Sequence, residues 1–445
     1  MVGEPVEQAM KFTAFGIAIS FFLFVLPVPG TIALRYSLLL LLLSFFFLFR
    51  SECRTETWVK GGHVGGLLAW LILLSLGLIA QAVLVSNETR WALNEISSQW
   101  LPAVLTAVVG VGAVSIGRIS GLSRQKLLGW LVLVLFAQTV FSLIVTVPDF
   151  LANGAFPQAK TALTAGKLEI SYWNNLLLAF LAVDGLSRWR YRQALTTLPR
   201  GMVVGGIVVV FLSNLAFGAR NGMIGSLLLL SSLALLVLWH ERQQLGVART
   251  AAFVGGTIAL IGALGWGNFQ LDPRWERFEE TALLAWQSGK SDVWLHPDGA
   301  VMPSLQSGES VEPSAYFRIA WIRAGLDLIA ENPWGVGYGR NAFGHALRKT
   351  TETRLGHAHS GLVDWTIGVG VPGLILWLGF LSWLAWLGIR RYFVHRDPAG
   401  LILTFVVGGF FGRMLLDSIN RDHMLMVFFM ILAMLVTLPD EPVNS

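Results

Sequence analysis

The sequence predicts an all-α polytopic membrane protein with about twelve transmembrane helices. Of the 445 residues, 54% are hydrophobic and only 13% are charged, whereas charged residues make up about a quarter of an ordinary soluble domain. The hydrophobic residues are grouped in blocks of about 18–22, which is the length that an α-helix needs to cross a bilayer. A membrane β-barrel would show short segments of alternating hydrophobicity instead.

Twelve segments of the chain have this length and hydrophobicity. No small-residue cleavage site follows the first one, so we expect it to remain as a helix and not to be removed as a signal peptide. The segments lie near residues 11–29, 31–49, 62–85, 99–117, 126–147, 170–187, 202–218, 221–239, 250–267, 371–389, 399–416 and 421–438.

The charged residues of the connecting loops predict how these segments are oriented. Arg and Lys are concentrated in alternate loops, which the positive-inside rule places in the cytoplasm together with both termini. Because these residues act as orientation signals, the net charge of +5 does not indicate nucleic-acid binding. The single cysteine, Cys53, excludes an intramolecular disulfide and a cysteine-clustered metal site. The basic loops contain RSECRTETWVK, GRISGLSRQK, SRWRYRQALTTLPR, HERQQLGVAR and RRYFVHR.

Only one loop is large enough to form a small region outside the membrane, and we expect it on the non-cytoplasmic side. In this loop WERFEETALLAWQ predicts an amphipathic helix with Trp275, Phe278 and Leu283 on its apolar side. YFRIAWIRAGLDLIAE predicts a second helix, and the Gly-, Ser- and Pro-rich stretch 288–314 between them predicts a mobile loop. The chain is thereby divided into residues 1–267, 268–356 and 357–445.

Arginines on the non-cytoplasmic side are candidate functional residues, because that side is normally poor in Arg. Arg220 lies in the turn GARNG between two spans, and its planar fork of donors suits phosphate oxygens. The alternative is an interfacial Arg whose head reaches the headgroup region. Arg318 and Arg323 are five residues apart, so at most one of them faces a shared site. The alternative for this pair is the solvated face of a helix.

Two histidines precede an apolar stretch in HAHSGLVDWTIGVGVPG, where a short helix is expected to end at the GVPG break. A neutral imidazole of His357 or His359 is suited to take a proton from a hydroxyl, because its pKa lies near ambient pH. A spacing of two without a nearby third ligand does not favour a metal site. The alternative is a pair of interfacial histidines.

Three further stretches contain polar or glycine-rich patterns. In ISYWNNLLLAF, Tyr172 and Asn175 open the sixth span, where aromatic residues fit an interfacial belt and amides suit a headgroup pocket. Arg413 and Asp417 are four residues apart on a helix and are expected to form a structural ion pair. GVGYG does not follow a strand or open a helix, so a nucleotide-binding loop is rejected.

Taken together, these stretches resemble the O-antigen ligase and polymerase superfamily. HSGLVDWTIGVGVPG is similar to the family's HNxxLxxxxxxGxxG signature, GARNG to its SRG-type turn and WNNLLLAF to its NPN stretch. The chain departs from the family pattern at Ser360, and at Trp173 and Asn174. The resemblance covers roughly residues 170–390. The matching residues are Asn175, Arg220, Arg318, Trp321, Pro333, Gly335, Gly337, Phe343, His359, Gly370 and Gly373.

The resemblance implies a membrane-embedded glycosyltransferase of the GT-C type in the bacterial inner membrane, with its active site facing the periplasm. Such an enzyme takes glycan from undecaprenyl pyrophosphate and passes it to a sugar hydroxyl of lipid A–core, without metal, nucleotide or other cofactor. His359 is then the general base, and Arg220 and Arg318 stabilise the pyrophosphate. A single displacement implies inversion at the anomeric carbon. Further substrate-binding residues implied by this placement are Arg323, His357, Asn175 and Tyr172.

Three alternatives remain open at this level. An O-antigen polymerase and a protein O-oligosaccharyltransferase use the same donor and differ only in the acceptor. The single large outer loop favours the ligase over the polymerase. A lipid-linked glycan transporter is less favoured, because the charged candidates cluster at one face and no symmetry relates the two halves of the chain.

Overall fold

The computed structural model describes residues 3–49, 63–154, 163–164, 166–241, 246–271, 277–287, 292–297, 301–305 and 307–441. These residues form seventeen α-helices and, among them, no β-strand. A π-helical turn, Ile96–Trp100, joins the fourth helix to the fifth. The helices are α1 (Gly3–Val25), α2 (Ile32–Leu48), α3 (Val64–Leu84), α4 (Thr89–Glu95), α5 (Leu101–Ile119), α6 (Arg124–Ile144), α7 (Val147–Asn153), α8 (Lys167–Arg190), α9 (Arg200–Ala216), α10 (Arg220–Leu236), α11 (Val247–Leu271), α12 (Phe278–Gln287), α13 (Pro313–Glu331), α14 (Ala342–Leu347), α15 (Gly361–Phe393), α16 (Ala399–Leu416) and α17 (Asp422–Thr437).

The predicted fold class, an all-α polytopic membrane protein, is confirmed. Seven helical segments of the described chain are long and apolar enough to cross a membrane, and four shorter apolar segments accompany them. The remaining predicted span, the sixth, corresponds to α8, whose 24 residues carry charges at both ends and which is buried along most of its length. The long segments are Val64–Leu84, Thr89–Ile119, Arg124–Asn153, Arg220–His240, Val247–Gly267, Gly361–Phe393 and Ala399–Leu416. The shorter ones are Phe12–Val25, Ile32–Leu48, Arg200–Ala216 and Asp422–Thr437.

The centre of the bundle is α17, which is buried from His423 to Thr437 and packs along α5. Close approach of the two backbones depends on Gly110, where an added Cβ would lie 2.4 Å from the carbonyl oxygen of Met430. Small residues at such crossings are typical of membrane helices, because packing replaces the hydrophobic driving force there. An aromatic cluster around Trp377 fills the space beside this pair.

Three of the basic loops meet at one end of the bundle, here called the basic-loop end. Arg124 forms a buried ion pair with Asp397, and Arg391 Nη2 lies 2.9 Å from the same carboxylate. Gln125 Nε2 donates to the carbonyl oxygen of Ala194 at 2.8 Å, which ties in the loop before α9. This grouping agrees with the predicted alternation of loop charge. The single cysteine, Cys53, lies outside the described residues.

At the opposite end, here called the site end, α13 and α14 pack on the first turns of α15. Gly325 of α13 allows this contact, since an added Cβ would lie 2.4 Å from Cγ1 of Val363. Trp321 Nε1 donates to the carbonyl oxygen of Trp294 at 2.9 Å and holds the preceding loop against α13. The expected break in α15 occurs at Gly370, whose φ of 73° is left-handed.

The predicted apolar side of the first outer helix is wrong. Phe278 and Leu283 of α12 are 39% and 58% exposed, whereas Thr281 and Ala285 are buried. The helix packs through its small residues because α13 lies close, and the backbone N–H of Glu312 donates to Thr281 Oγ1 at 3.2 Å. Trp275, the third residue of the predicted face, lies outside the described residues.

Candidate functional site

Arg220 and Arg318 are brought to one cleft at the site end. Arg220 is the first residue of α10 and follows a turn that Gly218 closes with a φ of 56°. Its Nη2 lies 3.7 Å from Glu312 Oε1. Glu312 also caps α13 by accepting from the backbone N–H of Ala315 at 2.5 Å. The carboxylate of Glu312 therefore contacts both Arg220, at the start of α10, and the first turn of α13, the helix that carries Arg318.

The cleft between these elements holds about 50 Å³ and is strongly basic. Four of its lining side chains are cationic, and one, Asp417, is anionic. Such an excess of positive charge attracts an anion into a small space. The lining residues are Lys167, Leu168, Ser171, Gly218, Ala219, Arg220, Asn221, Ser314, Arg318, Arg413 and Asp417.

Asp417 organises the cationic residues of this basic cleft. Its carboxylate lies 3.3 Å from Arg413 Nη2 and 4.0 Å from Arg318 Nη1. It also accepts a hydrogen bond from Asn221 Nδ2 at 2.5 Å. The predicted pair of Arg413 and Asp417 is therefore present, but it lies in the wall of the cleft. Sequence reasoning missed this location because spacing along a helix does not reveal what else approaches the pair.

Arg413 has unused hydrogen-bonding capacity although it is buried. Its Nη2 donates to Ser171 Oγ at 2.9 Å and to the carbonyl oxygen of Leu168 at 3.3 Å. Its Nε and Nη1 have no hydrogen-bond partner among the described residues. Unpartnered buried donors are costly, most of all on a charged group. The guanidinium is therefore suited to a further, anionic partner.

An apolar groove of about 290 Å³ runs between α8, α10 and α16 and meets the basic cleft. Arg413 and Asn221 line both spaces, so the groove and the cleft are adjacent. Tyr172 and Asn175 line the groove, not the cleft, and Asn175 Oδ1 accepts from Ser226 Oγ at 3.1 Å. The structure thus places Tyr172 and Asn175 in the lining of the apolar groove, which Arg413 also lines.

The histidine pair lies next to the basic cleft. The His359 ring stacks on Trp321 at a centroid distance of 5.0 Å, and the His357 ring lies 4.2 Å from it. His357 Nε2 is 3.4 Å from Arg421 Nη2. The backbone of His359 is left-handed, with a φ of 54°, a conformation that is uncommon for a non-glycine residue and frequent at functional sites.

Burial and neighbouring arginines keep both imidazoles neutral. Burial and the charge of Arg318 together lower the pKa of His359 to about 4, while Asp417 opposes the shift. Burial lowers the pKa of His357 to about 2, with Arg421 as the second cause. A neutral imidazole is the form that accepts a proton. The low pKa also weakens it as a base, unless an anion in the cleft offsets the arginines.

Asp364 holds the histidine loop in place. Its carboxylate accepts from the backbone N–H of Ala358 at 2.8 Å and from the hydroxyl of Ser418. Ser360 caps α15, accepting from the backbone N–H of Val363 at 3.5 Å, and the N–H of Gly361 donates to the carbonyl oxygen of Asp417 at 3.1 Å. Sequence reasoning missed Asp364. The signal was present, since a carboxylate in the first turn of an apolar helix needs partners to be buried.

Arg323 is not brought to the cleft. It pairs with Asp327 at 2.8 Å, one turn further along α13, and its guanidinium lies over the ring of Trp286 at 5.7 Å. This agrees with the expectation that only one arginine of α13 faces a shared site. Among the described residues, no group of three His, Cys, Asp or Glu side chains is arranged to hold a metal ion.

Fold and site together define a polytopic membrane protein that holds a basic cleft and a neutral histidine pair where its helices meet an outer segment. Residues 176–378 match the family model described as O-antigen ligase, which supports the resemblance of the chain to the O-antigen ligase and polymerase superfamily. The family implies a glycosyltransferase-like enzyme of the O-antigen pathway. Arg220, Arg318 and His359 lie inside the matched range, whereas Arg413 and Arg421 lie outside it. No curated protein matches the chain.

Proposed function

We propose that this protein is an O-antigen ligase that transfers glycan from undecaprenyl pyrophosphate to a sugar hydroxyl of lipid A–core. The observation that carries the proposal is that the basic cleft and the apolar groove are adjacent and share Arg413 and Asn221 as lining residues. A ligand that fits both spaces has an anionic head and a long apolar chain, which is the build of a lipid pyrophosphate.

The basic cleft supports the pyrophosphate part of this donor. Arg220, Arg318 and Arg413 approach it from three different helices, so their guanidinium groups surround a bound anion instead of lining one side. As the bond between C1 and the pyrophosphate oxygen breaks, negative charge grows on the leaving group. Fixed cations in a poorly hydrated pocket stabilise that charge without reorganising. The chain's own cations suit this task, in line with a reaction that needs no metal.

His359 is the proposed general base. The acceptor hydroxyl gives its proton to the neutral imidazole, its oxygen forms the new bond to C1, and undecaprenyl pyrophosphate leaves with the electron pair. A bound pyrophosphate offsets the positive charge of Arg318, which lowers the pKa of His359 in the free enzyme. Donor binding therefore strengthens the base at the moment when it is needed. Attack opposite the leaving group inverts the anomeric centre.

The remaining roles follow from this arrangement. Tyr172 and Asn175 contact the lipid chain near its head, and His357 orients His359. The site end is the periplasmic side of the inner membrane, with the basic loops and both termini in the cytoplasm, since alternate basic loops mark the cytoplasmic side. Residues 268–356 then form the periplasmic region between two sets of spans.

An O-antigen polymerase is the second candidate, because it uses the same donor chemistry. The test compares lipopolysaccharide and the lipid-linked glycan pool in cells that lack the gene and receive either the wild-type protein or His359→Ala. We expect bare core and accumulated lipid-linked glycan in the deletion strain, with the long-chain ladder restored only by wild type. General base catalysis typically contributes about 10²–10⁴-fold, so His359→Ala is expected to insert normally and to transfer very little. Core capped with a single repeat unit in the deletion strain would identify a polymerase.

A further inference from the structure

A second pair of spaces lies on the other side of the histidines. A small cleft of about 20 Å³ is lined by polar residues of the turn before α17 and of the segment before α14. It contains Arg421, which approaches His357, and Asp364, which holds the histidine loop. The histidine pair therefore lies between two clefts, one at Arg318 and one at Arg421. The lining residues of this second cleft are Tyr338, Gly339, Arg340, Asp364, Trp365, Gly368, Ser418, Asn420 and Arg421.

An apolar groove lies next to the second cleft. This groove, between α3 and the kinked part of α15, holds about 220 Å³ and is lined almost entirely by apolar side chains. Trp365 lines both spaces. At the mouth of the groove, Leu84 is 80% exposed and Trp334 is 65% exposed, as expected where a groove opens to lipid at the bilayer surface. The kink of α15 at Gly370 and Pro372 lies beside this groove, and Pro372 lines it.

We propose that this second groove and cleft bind the acceptor, an amphiphile whose glycan carries an anionic group such as phosphate. The inference rests on the proposed function, and it assigns the donor and the acceptor to opposite sides of the histidine pair. Two lipid substrates that meet at one base need two separate entries from the membrane. The structure has two apolar grooves, each ending in an arginine-containing cleft beside the histidines.

The charges in the second cleft favour an anion at Arg421. Asp364 is already engaged, since both of its oxygens accept hydrogen bonds. Arg340 is neutralised by Asp422 at 3.3 Å and by Glu95 at 3.8 Å. Arg421 has no carboxylate within 4.0 Å among the described residues, and its Nε is buried without a hydrogen-bond partner there. A phosphate on the acceptor glycan would supply the missing partner.

An unpaired acceptor atom in the groove points to the same class of ligand. Gln81 Nε2 donates to the carbonyl oxygen of Gly368 at 3.1 Å, which fixes the orientation of the amide. Its Oε1 is buried without a partner among the described residues. A hydroxyl or amide N–H in the upper part of an acyl chain would satisfy this oxygen, whereas an ordinary ester-linked phospholipid chain carries no such donor.

The first test fills the groove. Ala80 lines it and is exposed, so Ala80→Trp places a large side chain in the groove without displacing a packed neighbour. Ile79, next to it on α3, is 43% exposed and does not line the groove, so Ile79→Trp is the matched control. Purified protein is assayed with undecaprenyl-pyrophosphate-linked glycan and lipid A–core. We expect Ala80→Trp to raise the KM for lipid A–core about 10-fold, with the donor KM unchanged and the control near wild type.

The second test removes the charge. Wild-type, Arg421→Gln and Arg421→Lys proteins are assayed with phosphorylated and enzymatically dephosphorylated lipid A–core. We expect wild type to prefer the phosphorylated acceptor about 10-fold or more in kcat/KM, because hydrogen bonds to charged groups have this magnitude. Arg421→Gln should lose the preference, and Arg421→Lys should retain part of it. The ratio of kcat/KM for the two acceptors is insensitive to any effect that the substitution of Arg421 has on the histidines or on folding.

The outcomes separate the inference from the proposed function. If wild type transfers glycan to neither acceptor, the proposed function fails. If transfer occurs but Ala80→Trp raises the donor KM, or leaves both KM values unchanged, the groove holds the donor or bulk lipid and the inference is overturned. Equal use of both acceptors by wild type also overturns it.

Discussion

The buried arginines at the two ends of the bundle differ in how completely carboxylates neutralise them. At the basic-loop end, Arg124 and Arg391 share the buried carboxylate of Asp397, and Arg391 also donates to the carbonyl oxygen of Leu435 at 2.7 Å. At the site end, Arg413 and Arg421 each retain donors without a partner among the described residues. Arg124 and Arg391 are neutralised by carboxylates and join helices, whereas Arg413 has only Asp417, at 3.3 Å, and Arg421 has no carboxylate within 4.0 Å among the described residues. An incompletely neutralised buried guanidinium gains more from an anionic ligand than a fully paired one does.

The largest effect is expected on stability at the basic-loop end. Arg391→Gln leaves Asp397 with only Arg124, and it removes the contact to Asp440 at 2.8 Å. Breaking a buried ion pair costs about 3–5 kcal/mol, so thermal unfolding in detergent should shift down strongly. Arg396→Gln, an exposed change in the same loop, is the control and should unfold like wild type. An unchanged unfolding temperature for Arg391→Gln would show that this end is not held by its ion pairs.

The next effect is expected on activity at the site end. Arg413→Gln removes a cation from the basic cleft, while Asp417 keeps Asn221 and Arg318 as partners. We expect kcat/KM for the lipid-linked donor to fall about 100-fold, since hydrogen bonds to charged groups contribute about 1.5–3 kcal/mol. The protein should still fold, and Arg413→Lys should recover part of the activity. A variant that unfolds but retains its activity per folded molecule would assign Arg413 to structure, as its spacing to Asp417 first indicated.

A smaller effect is expected from narrowing the donor groove. Gly409 of α16 lines it, and a Cβ added there meets nothing within 4 Å. Gly409→Leu therefore occupies the groove without disturbing helix packing, and we expect a donor KM about 10-fold higher with kcat nearly unchanged. Gly205 of α9 is equally open but lies outside the groove, so Gly205→Leu should behave like wild type. Identical donor KM values for Gly409→Leu and Gly205→Leu would show that the donor does not bind in this groove.

The sequence predicted the fold class of this molecule and several residues of its candidate site. Long apolar segments and alternating loop charge are local properties, so the all-α polytopic membrane fold and the shared end of three basic loops could be foreseen. Arg220, Arg318 and His359 were found from their short motifs. The partners of the histidine loop were not, because Arg421 reaches His357 across 64 residues of sequence and Asp364 meets Ser418 across 54. The predicted pair of Arg413 and Asp417 is present, but its position in the wall of the basic cleft depends on residues that are distant in the sequence.

The pH dependence offers a milder test of the histidine pair. The pKa of His359 is lowered to about 4 in the folded protein, below the ordinary value of about 6.5. His359 therefore stays neutral above about pH 5, and kcat/KM should be flat from about pH 6 to 8 and fall on further acidification. The unfolded chain binds the proton first, so stability is lost as the pH falls from about 6.5 towards 4. A kcat/KM profile that declines between pH 8 and 6.5 would contradict a buried, neutral base.

The smallest effect is expected at Arg323, which distinguishes the two arginines of α13. Arg318 faces the basic cleft, whereas Arg323 pairs with Asp327 on the outer face, where both side chains are partly exposed to solvent. Exposed pairs of this kind contribute about 0.2–1 kcal/mol, so Arg323→Ala should unfold close to wild type. Its kcat/KM should remain within about 2-fold, since the guanidinium lies over Trp286 and away from the cleft. Steady-state kinetics of Arg323→Ala beside Arg318→Ala measure the difference directly. A loss of activity at Arg323 as large as that at Arg318 would mean that α13 rotates or moves when substrate binds, and that both arginines then serve the site.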